Sequence, residues 1–579
     1  MITHASIIPE NTTLETEICI VGGGPAGITL ALELSGQPFR VILLEGGEIK
    51  YDRVGQSLYR GTNIGLHYED LHQSRSRFFG GSSNCWAGFC RQFDEHDFEF
   101  RDWVPNSGWP ITLADLRPHY YRAHELLQLG PVNFDPRVWE DLIGRPDARM
   151  IKFDRERAIN IIAQVSPPTR LGQLYRDDLA RSGNVSTYLG ASVTEIETPG
   201  AGSAVTGLRV RTLAGGGFRV VAQTYVLATG GIETPRLMLA SNRYQPAGVG
   251  NHYDVVGRYF MDHPRLRSGE IVFRNPECNS RIYDMHSTLA RKMTARGVRV
   301  SGFFGLTPET QRAERVANTR CCVKSRFIGD SRETNLAALT LFRAIGERRP
   351  LRDRSRKEVI RLLTHLPQVT MMAAGLKLNL PILTRGFTLE TVVEPTPLPD
   401  SRVTLSSERD ALGVPRVKVD WRLGELEKRT IRRTQEILGE ELARAGAGEV
   451  LVDAPREGEP WPDSIVGCWH HMGTARMHAD PRKGVVDSDC RVHGINNLFI
   501  AGSSVFPTCG SDTPTINIVA LALRLAQHIK CQYGIDAATR VDWHTASSDS
   551  VERTEVFGRA AANEAGSGSA VAALTGRGG

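Results

Sequence analysis

The stretch ICIVGGGPAGITLALELSGQPFRVILLE, residues 18–45, decides how the rest of the chain can be interpreted. Residues 18–21 form a short apolar run of the kind that becomes a parallel strand buried on both faces. A helical pattern covers residues 25–35 and ends at a glycine. A second apolar run covers residues 41–44. Strand, helix and strand within about thirty residues predict a βαβ unit.

The residues between the first strand and the helix fit the pattern GxGxxG. Gly22 permits a tight turn, Gly24 lets the backbone approach a pyrophosphate, and Gly27 lets the helix pack on the sheet. The helix N-terminus favours negative charge through free N–H groups and the helix dipole. Glu45 ends the second strand, where a carboxylate accepts hydrogen bonds from ribose hydroxyls. The alternative is a glycine-rich connection without a ligand. The predicted dinucleotide site comprises Gly22, Gly24, Pro25, Ala26, Gly27 and Glu45.

The single fingerprint favours a flavin over a nicotinamide. It lies in the first part of the chain, and no second GxGxxG of comparable quality follows. A tightly held FAD that takes electrons directly from a substrate needs one such site, whereas a flavoprotein that uses a pyridine nucleotide usually needs two. We therefore expect FAD as the cofactor.

Composition sets the broad class. A chain of 579 residues fits roughly two domains, or one nucleotide-binding domain with large insertions. The net charge of +5 is spread over 70 basic and 65 acidic residues, and no Lys/Arg run tracks a phosphate backbone, so no nucleic-acid partner is expected. The basic tract 343–361 predicts a solvated face, with a partner contact as the alternative. The ten cysteines form no CxxC pair, so no metal site is predicted.

Targeting features indicate the expected location. No apolar stretch reaches the about 18 residues that a membrane-spanning helix needs, so no transmembrane segment is expected. The first residues lack the basic region, apolar core and cleavage site of a secretory signal. We expect a cytoplasmic protein; export alongside a partner that provides the signal is the alternative.

Later segments predict a second layer of structure. Residues 266–425 have the pattern of an antiparallel sheet with helical interruptions. The tail from about residue 546 is rich in Gly, Ala, Ser and charge, which is typical of disordered or weakly helical chain. Further predicted elements are helices at 113–127, 425–445 and 514–529, and strands at 225–228, 401–406, 416–421 and 498–501, of which 401–406 and 416–421 pair.

Ordered motifs along most of the chain carry a family resemblance. After the glycine fingerprint come RFFGGSSNCWAG (77–88), FRDWVPNSGWP (100–110), LATGGIETPRLML (227–239) and GRYFMDHP (257–264), then SRVTLS and the block from WHHMGTARM (469–477) to GSDTPTINIVALALRLA. In this order the motifs resemble those of glucose-methanol-choline (GMC) oxidoreductases, from residue 17 to about residue 529.

The resemblance implies a fold and a division of the chain. The fold class is α/β, with a discontinuous Rossmann-like FAD-binding domain and a mostly antiparallel-sheet α+β substrate domain. Residues 1–100, 190–265 and 466–545 are assigned to the FAD-binding domain, and residues 101–189 and 266–465 to the substrate domain and insertions. Substrate is expected between the antiparallel sheet and the flavin.

The resemblance also implies a catalytic base. In the family a histidine in an HxxGT or HxxGG context acts as base at the flavin, and His470 matches because Gly473 and Thr474 follow. The unperturbed pKa of imidazole suits a base near neutral pH. His471 is out of this register and is expected to pack or hydrogen-bond locally.

A second catalytic position departs from the family pattern. Relatives place His or Asn about forty residues later, before a proline that opens a helix, whereas this chain has Thr513 before Pro514. Thr513 is interpreted either as a helix cap or as a hydroxyl that orients the substrate oxygen. Asp512 and Asn517 are nearby polar substitutes that the sequence does not rank.

The loop 77–88 resembles the segment that packs against the flavin ring. Gly80 and Gly81 allow close backbone approach. Cys85 occupies the position at which some sugar oxidases join a histidine covalently to the flavin. A thioether through Cys85 is the alternative to simple contact with the ring. The other residues expected at the cofactor are Ser82, Ser83, Asn84, Val193, Ala228, Gly502, Ser503, Thr513 and Pro514.

The implied function is oxidation of an alcohol by hydride transfer to flavin N5, with a sugar, glycoside, polyol or hydroxylated natural product as substrate. Oxygen or an electron-acceptor protein would take the electrons. Three alternatives stay open: a flavin-containing lyase, a catalytic subunit docked to an electron-transfer partner, and a non-catalytic flavin-binding protein. Asp262, His263 and Pro264 resemble a motif that shapes the domain interface, and His263 is expected to be structural.

Overall fold

A computed structural model gives the fold of the chain. It describes residues 1–535 except 154–155, 201, 277–280, 286–293, 296, 328–330, 332, 335, 339, 342–355 and 379–382. The predicted tail from residue 546 and the basic tract up to residue 355 therefore lie outside the described residues. Among the described helices, none is both long and apolar enough to cross a bilayer.

The described strands and helices alternate along the first half of the chain and separate into sheet and helix later. The strands are β1 (Ile2–His4), β2 (Thr13–Val21), β3 (Val41–Leu44), β4 (Gly61–Asn63), β5 (Phe89–Cys90), β6 (Ala158–Val165), β7 (Val185–Leu189), β8 (Ser192–Glu197), β9 (Gly207–Arg211), β10 (Gly217–Leu227), β11 (Pro264–Phe273), β12 (Thr294–Ala295), β13 (Val298–Leu306), β14 (Thr319–Phe327), β15 (Thr384–Val393), β16 (Arg402–Arg409), β17 (Pro415–Asp420), β18 (Gly448–Leu451), β19 (Val466–Gly467) and β20 (Leu498–Ile500). The α-helices are α1 (Pro25–Glu33), α2 (Arg53–Ser57), α3 (Glu95–Phe98), α4 (Leu113–Leu126), α5 (Pro136–Ile143), α6 (Leu171–Leu174), α7 (Arg176–Arg181), α8 (Gly230–Ala240), α9 (Pro308–Glu314), α10 (Arg356–Thr364), α11 (Leu366–Leu378), α12 (Glu425–Arg444) and α13 (Thr515–Gln532).

An eight-stranded sheet holds the nucleotide loop. Its order is β1-β7-β3-β2-β10-β9-β8, and β20 pairs with the C-terminal part of β10. In this sheet β1, β7, β3, β2, β10 and β20 run parallel to one another. The remaining two strands, β8 and β9, pair in an antiparallel way. The short strand β3 lies between β2 and β7 and is buried at every position. The carboxyl ends of β2, β10 and β20 meet at one edge, where a ligand is expected in this architecture.

A nine-stranded antiparallel sheet forms the second layer. Its order is β18-β11-β15-β14-β13-β6-β5, with β12 on β13 and β19 on β11. One face packs through Leu389, Val323 and Phe304 on an apolar cluster that includes Leu438 and Leu442 of α12. Phe303 and Cys322 lie on the other face and pack in a separate apolar cluster. A third, three-stranded sheet consists of β16, β17 and β4.

The predicted fold class is confirmed, and so are the elements at 25–35, 41–44, 113–127, 425–445, 498–501 and 514–529 within a few residues. The predicted hairpin forms through antiparallel pairing of β16 with β17. Strand β2 starts at Thr13, five residues before the predicted run. Its first half is polar and partly exposed but pairs with β10, so apolar patterning does not reveal it.

Strand membership differs from the predicted division of the chain at four places, one of which is β4, assigned to the FAD-binding domain but paired with β17. Strand β7 lies in the parallel sheet although residues 101–189 were assigned to the substrate domain. Strands β5 and β19 lie in the antiparallel sheet although their residues were assigned to the FAD-binding domain. These strands either have very few residues or lie next to a predicted domain boundary. The sequence therefore does not indicate which sheet they join. The domain boundaries themselves stay a prediction.

Candidate active site

The nucleotide loop leaves β2 through Gly22, whose φ of 108° is open to glycine but strained for other residues. Its N–H donates to Leu44 O at 2.7 Å, and an added Cβ would lie 2.6 Å from Ala228 O. A Cβ on Gly27 would lie 1.8 Å from Gly22 O. Both positions therefore require glycine, because the helix packs directly on the turn.

The carboxylate of Glu45 holds this loop by accepting hydrogen bonds from backbone N–H groups. Its Oε2 accepts a hydrogen bond from Gly23 N at 2.8 Å, and its Oε1 accepts one from Gly47 N at 2.6 Å. The side chain also borders the cavity described below. A carboxylate has about four acceptor sites, so Glu45 keeps acceptor capacity for ribose hydroxyls.

The start of α1 is free to bind an anion. Gly24 caps the helix without a side-chain hydrogen bond, and Pro25 occupies the first turn. A Cβ on Gly24 would meet only Gly81 Cα, at 3.9 Å, so the backbone here faces open space. Unsatisfied N–H groups and the helix dipole attract a pyrophosphate to such an end.

The flavin loop lies directly across from the nucleotide loop. Gly80 donates its N–H to Gly23 O at 2.8 Å, and a Cβ on Gly81 would lie 2.8 Å from Gly24 Cα. The loop holds itself through Ser83 Oγ, which donates to Gly80 O at 2.6 Å, and Asn84 Nδ2, which donates to Phe79 O at 3.0 Å. Ser83 and Asn84 are thus used partly to shape the loop.

Cys85 borders the cavity and is partly exposed. Its Sγ donates to Ser82 O at 3.3 Å. Trp86, the next residue, is held by an Nε1 hydrogen bond to Thr169 O at 2.9 Å. The thiol therefore lies on the wall of the cavity.

His470 lies on a loop that Asp262 organises. The carboxylate of Asp262 accepts the backbone N–H groups of His470 at 2.8 Å and Trp469 at 2.9 Å. It also accepts the N–H of Cys468 at 3.2 Å and the hydroxyl of Tyr68. Burial raises the pKa of Asp262 to about 6, and these hydrogen bonds oppose the rise. Four donors thus bind one carboxylate. They hold the loop in a conformation in which Trp469 has a φ of 64°, a value that is unfavourable for a residue other than glycine.

Hydrogen bonds determine which nitrogen of His470 carries the proton. His263 Nε2 lies 2.8 Å from Gly510 O, which can only accept, so this nitrogen of His263 is protonated. The Nδ1 of neutral His263 then accepts, and it lies 2.9 Å from His470 Nδ1. His470 therefore carries its proton on Nδ1 and keeps the lone pair on Nε2.

The surroundings keep these imidazoles neutral. Burial lowers the pKa of His263 to about 4. Burial, followed by the charges of His263, Arg320, His471 and Arg265, lowers the pKa of His470 well below its usual value. His470 is 9% exposed and borders the cavity. Its Nε2 is thus an unprotonated base at neutral pH.

His471 also borders the cavity and is held there by packing. Its ring stacks on Phe260 at 6.0 Å, and its buried Nε2 has no hydrogen-bond partner among the described residues. Burial lowers its pKa to about 3. Its carbonyl accepts a hydrogen bond from Ser503 Oγ at 2.7 Å and so links the catalytic loop to the turn after β20.

Thr513 borders the cavity, but its hydroxyl proton is already used. Thr513 Oγ1 donates to Phe89 O at 2.6 Å, so toward a ligand it can only accept. The prediction that Thr513 caps the helix is wrong, because α13 starts at Thr515 and Pro514 is its cap residue. Asn517 is fully buried and accepts hydrogen bonds from Tyr120 and Phe93. Asp512 is paired with two arginines.

One cavity joins the nucleotide loop to His470. Three predicted residues, Gly27, Gly80 and Asn84, lie behind its wall, where they pack or hold loops. The predicted residues on its wall are Gly22, Gly24, Pro25, Ala26, Glu45, Gly81, Ser82, Ser83, Cys85, Val193, Ala228, His470, Gly502, Ser503, Thr513 and Pro514.

Several wall residues were not predicted from the sequence. The tip of the β16–β17 hairpin closes one side through Asp410, Leu412 and Val414. Arg77 also lines the cavity; its NH2 group donates to Ser192 Oγ at 2.9 Å, while its buried Nε has no partner among the described residues. The quoted loop motif contains Arg77, but an arginine in a loop is not a specific signal by itself.

These features fit FAD. A glycine turn without room for side chains, an uncapped helix start, a ribose-side carboxylate and an unpartnered arginine Nε border one cavity. The cavity is long enough to reach from that turn to the base His470. Within the described residues, the wall thus provides both a nucleotide end and a chemically distinct reactive end.

Comparisons with known proteins identify relatives of the chain. Residues 397–522 match the model of the C-terminal GMC oxidoreductase domain, and residues 17–247 match a model described as FAD dependent oxidoreductase. The chain is 28% identical to the fructose dehydrogenase large subunit of Gluconobacter japonicus, over 90% of this chain and 98% of that protein. It is 24% identical to 6'''-hydroxyparomomycin C oxidase of Streptomyces lividus, over 91% and 93%. A solved structure of formate oxidase has the same fold, with a TM-score of 0.51, 16% identity and coverage of 91% of this chain and 100% of that one.

Proposed function

Because the chain belongs to the GMC oxidoreductases and is an FAD-dependent enzyme, we propose that it oxidises an alcohol carbon with His470 as the base. The observation that supports this role most directly is the hydrogen-bond chain from Gly510 through His263 to His470. It leaves Nε2 of a neutral imidazole as the proton acceptor at the cavity.

The chain's own residues account for the proton and the cofactor's position. Nε2 of His470 accepts the hydroxyl proton of the substrate, and His263 keeps the ring in the required tautomer. The turn at Gly22, the start of α1 and Glu45 would hold the dinucleotide part, and the loop at Gly81 would contact the ring. Bound FAD supplies the acceptor for the hydride that leaves the alcohol carbon.

The substrate class follows from the relatives. Curated relatives named for oxidation of fructose, 2-methyl-1,2-propanediol and hydroxyparomomycin support a sugar, glycoside or polyol as the substrate. A hydroxylated natural product is the next choice. The large-subunit name of one relative supports a partner protein as electron acceptor, with oxygen as the alternative.

The test is anaerobic reduction of the purified flavoprotein by a panel of sugars, glycosides, polyols and aliphatic alcohols. We expect bleaching of the flavin bands by at least one class and its loss, by a factor of about 100 or more, in His470→Ala. His252→Ala, which changes an exposed histidine, is the matched control and should react like the wild type.

Other outcomes separate the alternatives. A yellow protein that no alcohol reduces would favour a lyase, which needs bound flavin without net oxidation. A colourless protein that FAD cannot reconstitute would contradict the proposal. Peroxide formation in air would indicate an oxidase, whereas turnover only with an added dye would indicate transfer to a partner protein.

For the mode of attachment, we propose that Cys85 contacts the flavin without a covalent bond, since its Sγ is already engaged with Ser82 O. Acid denaturation should then release all of the flavin into the supernatant. Retention of flavin in the protein pellet, lost in Cys85→Ser, would establish the thioether instead.

A further inference from the structure

A buried loop without helix or strand precedes α13. Residues 508–512 of this loop are all buried. Buried backbone groups outside regular secondary structure need hydrogen-bond partners from elsewhere in the chain. For Gly510 both partners are side chains from distant segments: its N–H donates to Glu394 Oε1 at 3.2 Å, and its carbonyl accepts from His263 Nε2 at 2.8 Å. Gly510 therefore connects Glu394 to the histidine that contacts the base.

Glu394 belongs to a fully buried ion pair. Arg101 NH1 donates to Glu394 Oε2 and Arg101 NH2 donates to Glu394 Oε1, both at 2.7 Å, and neither side chain is exposed. Glu394 Oε2 also accepts the N–H of Asn318 at 3.3 Å. Burial acts to raise the pKa of Glu394, but the guanidinium of Arg101 and the hydrogen bonds lower it overall. The two-pronged contact fixes the plane of the carboxylate and thus the position of the oxygen that binds Gly510.

Gly510 has little room to move away from Glu394. Its φ is 56°, in the left-handed region, and a Cβ on it would lie 2.6 Å from Asp97 Oδ1. That oxygen accepts a hydrogen bond from Asn318 Nδ2 at 3.0 Å, and Asp97 Oδ2 accepts one from Asp94 N at 2.8 Å. Because Asp97 is itself held, the backbone of Gly510 is confined by two carboxylates.

The position of the Gly510 carbonyl matters because the two histidines exchange tautomers as a pair. With the proton of His263 on Nε2, its Nδ1 accepts the Nδ1 proton of His470, and His470 Nε2 is free. In the other arrangement His263 donates from Nδ1, and the proton of His470 lies on Nε2, where it blocks the base. That arrangement sets the lone pair of His263 Nε2 against the Gly510 oxygen, so the carbonyl disfavours it. Cys509 Sγ lies 3.5 Å from the same nitrogen, and a thiol is a weaker partner than a carbonyl.

We propose that Arg101 and Glu394 are positioning residues that hold the backbone of Gly510. Held in this way, the Gly510 carbonyl keeps the proton of His263 on Nε2, and His470 Nε2 stays unprotonated. The inference rests on the proposed role of His470 as the base. Among the described residues that line the cavity, neither Arg101 nor Glu394 occurs, so both act on the reaction through Gly510 and His263. Loss of the contact at the Gly510 N–H should therefore shift the tautomers without changing how an alcohol binds.

The test uses two double variants that differ in one group. Removing Glu394 alone would leave the Arg101 guanidinium buried without its partner, which destabilises a fold strongly. Arg101→Met/Glu394→Leu and Arg101→Met/Glu394→Gln both remove the ion pair, and neutral replacements of a buried pair are tolerated much better. Only the glutamine variant keeps an oxygen that can accept the N–H of Gly510. It is therefore the matched control for the leucine variant, and we expect both to retain FAD.

The first measurement determines the tautomers without turnover. The 15N chemical shifts of the imidazole nitrogens are recorded at neutral pH in histidine-labelled holoenzyme, and the His470 signals are assigned by their loss in His470→Ala. In the wild type and the glutamine variant we expect a protonated Nδ1 and an unprotonated Nε2. In the leucine variant we expect a second His470 species that is protonated on Nε2. Wild-type tautomers in the leucine variant, or a wild-type His470 protonated on Nε2, would overturn the proposal.

A single variant keeps the proposal falsifiable if the double variants do not fold. Arg101→Lys keeps the buried charge but replaces the two-pronged contact with one hydrogen bond, so Glu394 is held less firmly. We expect the same second His470 species at a smaller fraction. Unchanged His470 shifts in Arg101→Lys, in a protein that still contains FAD, would overturn the proposal in that case.

The second measurement is anaerobic flavin reduction by the alcohol that reduces the wild type fastest. In the leucine variant the limiting rate constant should fall about 3- to 10-fold, in proportion to the fraction of His470 rings with a free Nε2, and the dissociation constant of the alcohol should stay the same. The glutamine variant should react nearly like the wild type. Equal losses in both variants would indicate a general structural effect and overturn the proposal.

The two measurements together separate this proposal from the proposed function. If the tautomers shift as expected but no alcohol reduces the wild-type flavin, the role of His470 as a base in alcohol oxidation fails and the positioning of the two histidines stands. If an alcohol reduces the flavin while both double variants keep the wild-type tautomers and rate, the positioning role is wrong and alcohol oxidation stands.

Discussion

The nucleotide loop and the catalytic loop border the same cavity but are built in opposite ways. The nucleotide loop is fixed by nearby chain: Gly23 N donates to Glu45, 22 residues away. The catalytic loop is fixed by distant chain: His470 depends on Asp262, 208 residues away, and on His263, 207 residues away. The first region is therefore shaped by close backbone contacts, and the second by side chains brought together by the fold.

The difference teaches what each region can tolerate. A turn determined by backbone shape has no space for an added methyl group, since a Cβ on Gly27 overlaps Gly22 O. A loop held by hydrogen bonds tolerates changes of volume better but depends on each donor and acceptor. Substitutions in the first region should act through steric overlap and lower the cofactor content, and substitutions in the second should act through single hydrogen bonds and lower either stability or rate.

The largest effect is expected for Gly27→Ala. The added Cβ would lie 1.8 Å from Gly22 O, so helix α1 must move off the sheet, at a cost of about 3 kcal/mol or more. We expect a protein that loses FAD and unfolds at lower temperature. Flavin content and thermal unfolding are the measurements. Gly183→Ala is the control, because a Cβ there meets nothing within 4 Å. A Gly27→Ala protein with full flavin content would show that the nucleotide loop does tolerate an added methyl group.

Asp262→Asn is expected to be the next largest. An amide replaces one acceptor oxygen with a donor that faces backbone N–H groups, which should cost about 3 kcal/mol of the free energy of unfolding. Chemical denaturation measures this cost. Asp254→Asn removes an exposed carboxylate that pairs with Arg258 and should cost under about 1 kcal/mol. Similar losses in the two variants would show that the catalytic loop does not depend on Asp262.

His263→Leu tests tautomer control directly. Leucine cannot accept the Nδ1 proton of His470, so the fraction of rings with a free Nε2 should fall and flavin reduction should slow by about 100-fold with FAD retained. His263→Gln offers an acceptor oxygen and should recover part of the rate. Stopped-flow reduction measures both. An unchanged rate in His263→Leu would show that the contact is only structural.

A smaller effect concerns pH. Burial lowers the pKa of His470, so the neutral form persists as the pH falls below the usual imidazole range. The rate constant for flavin reduction should therefore stay constant from neutral pH down through 6.5, the ordinary value, and decline only at lower pH. A decline centred at or above the ordinary value would contradict the burial of a neutral base.

The smallest effect is expected for Thr513→Val. It removes one buried hydrogen bond to Phe89 O and should cost about 1 kcal/mol of stability. Thr513→Ser should restore it. If Thr513 also accepts a hydrogen bond from the substrate, KM should rise several-fold in Thr513→Val and recover in Thr513→Ser. Equal KM values in all three proteins would limit Thr513 to a structural role.

Sequence reasoning succeeded where a local pattern has one physical solution. The βαβ unit, the hairpin of β16 and β17 and helix α12 follow from periodicity and glycine position. His263 was expected to be structural, and the structure gives it a contact with His470 that no sequence pattern records. The partners of β5, β7 and β19 were missed because short strands have too few residues to indicate which sheet they join.

The sequence by itself determined the dinucleotide turn and an antiparallel sheet later in the chain, and the family resemblance indicated His470. The turn and the sheet depend on backbone sterics and on apolar spacing, which are properties of neighbouring residues. Only the tertiary structure decided which nitrogen of His470 is free and that the Thr513 hydroxyl donates to Phe89 O. Those properties are set by hydrogen bonds and charges between residues hundreds of positions apart, which no local pattern specifies.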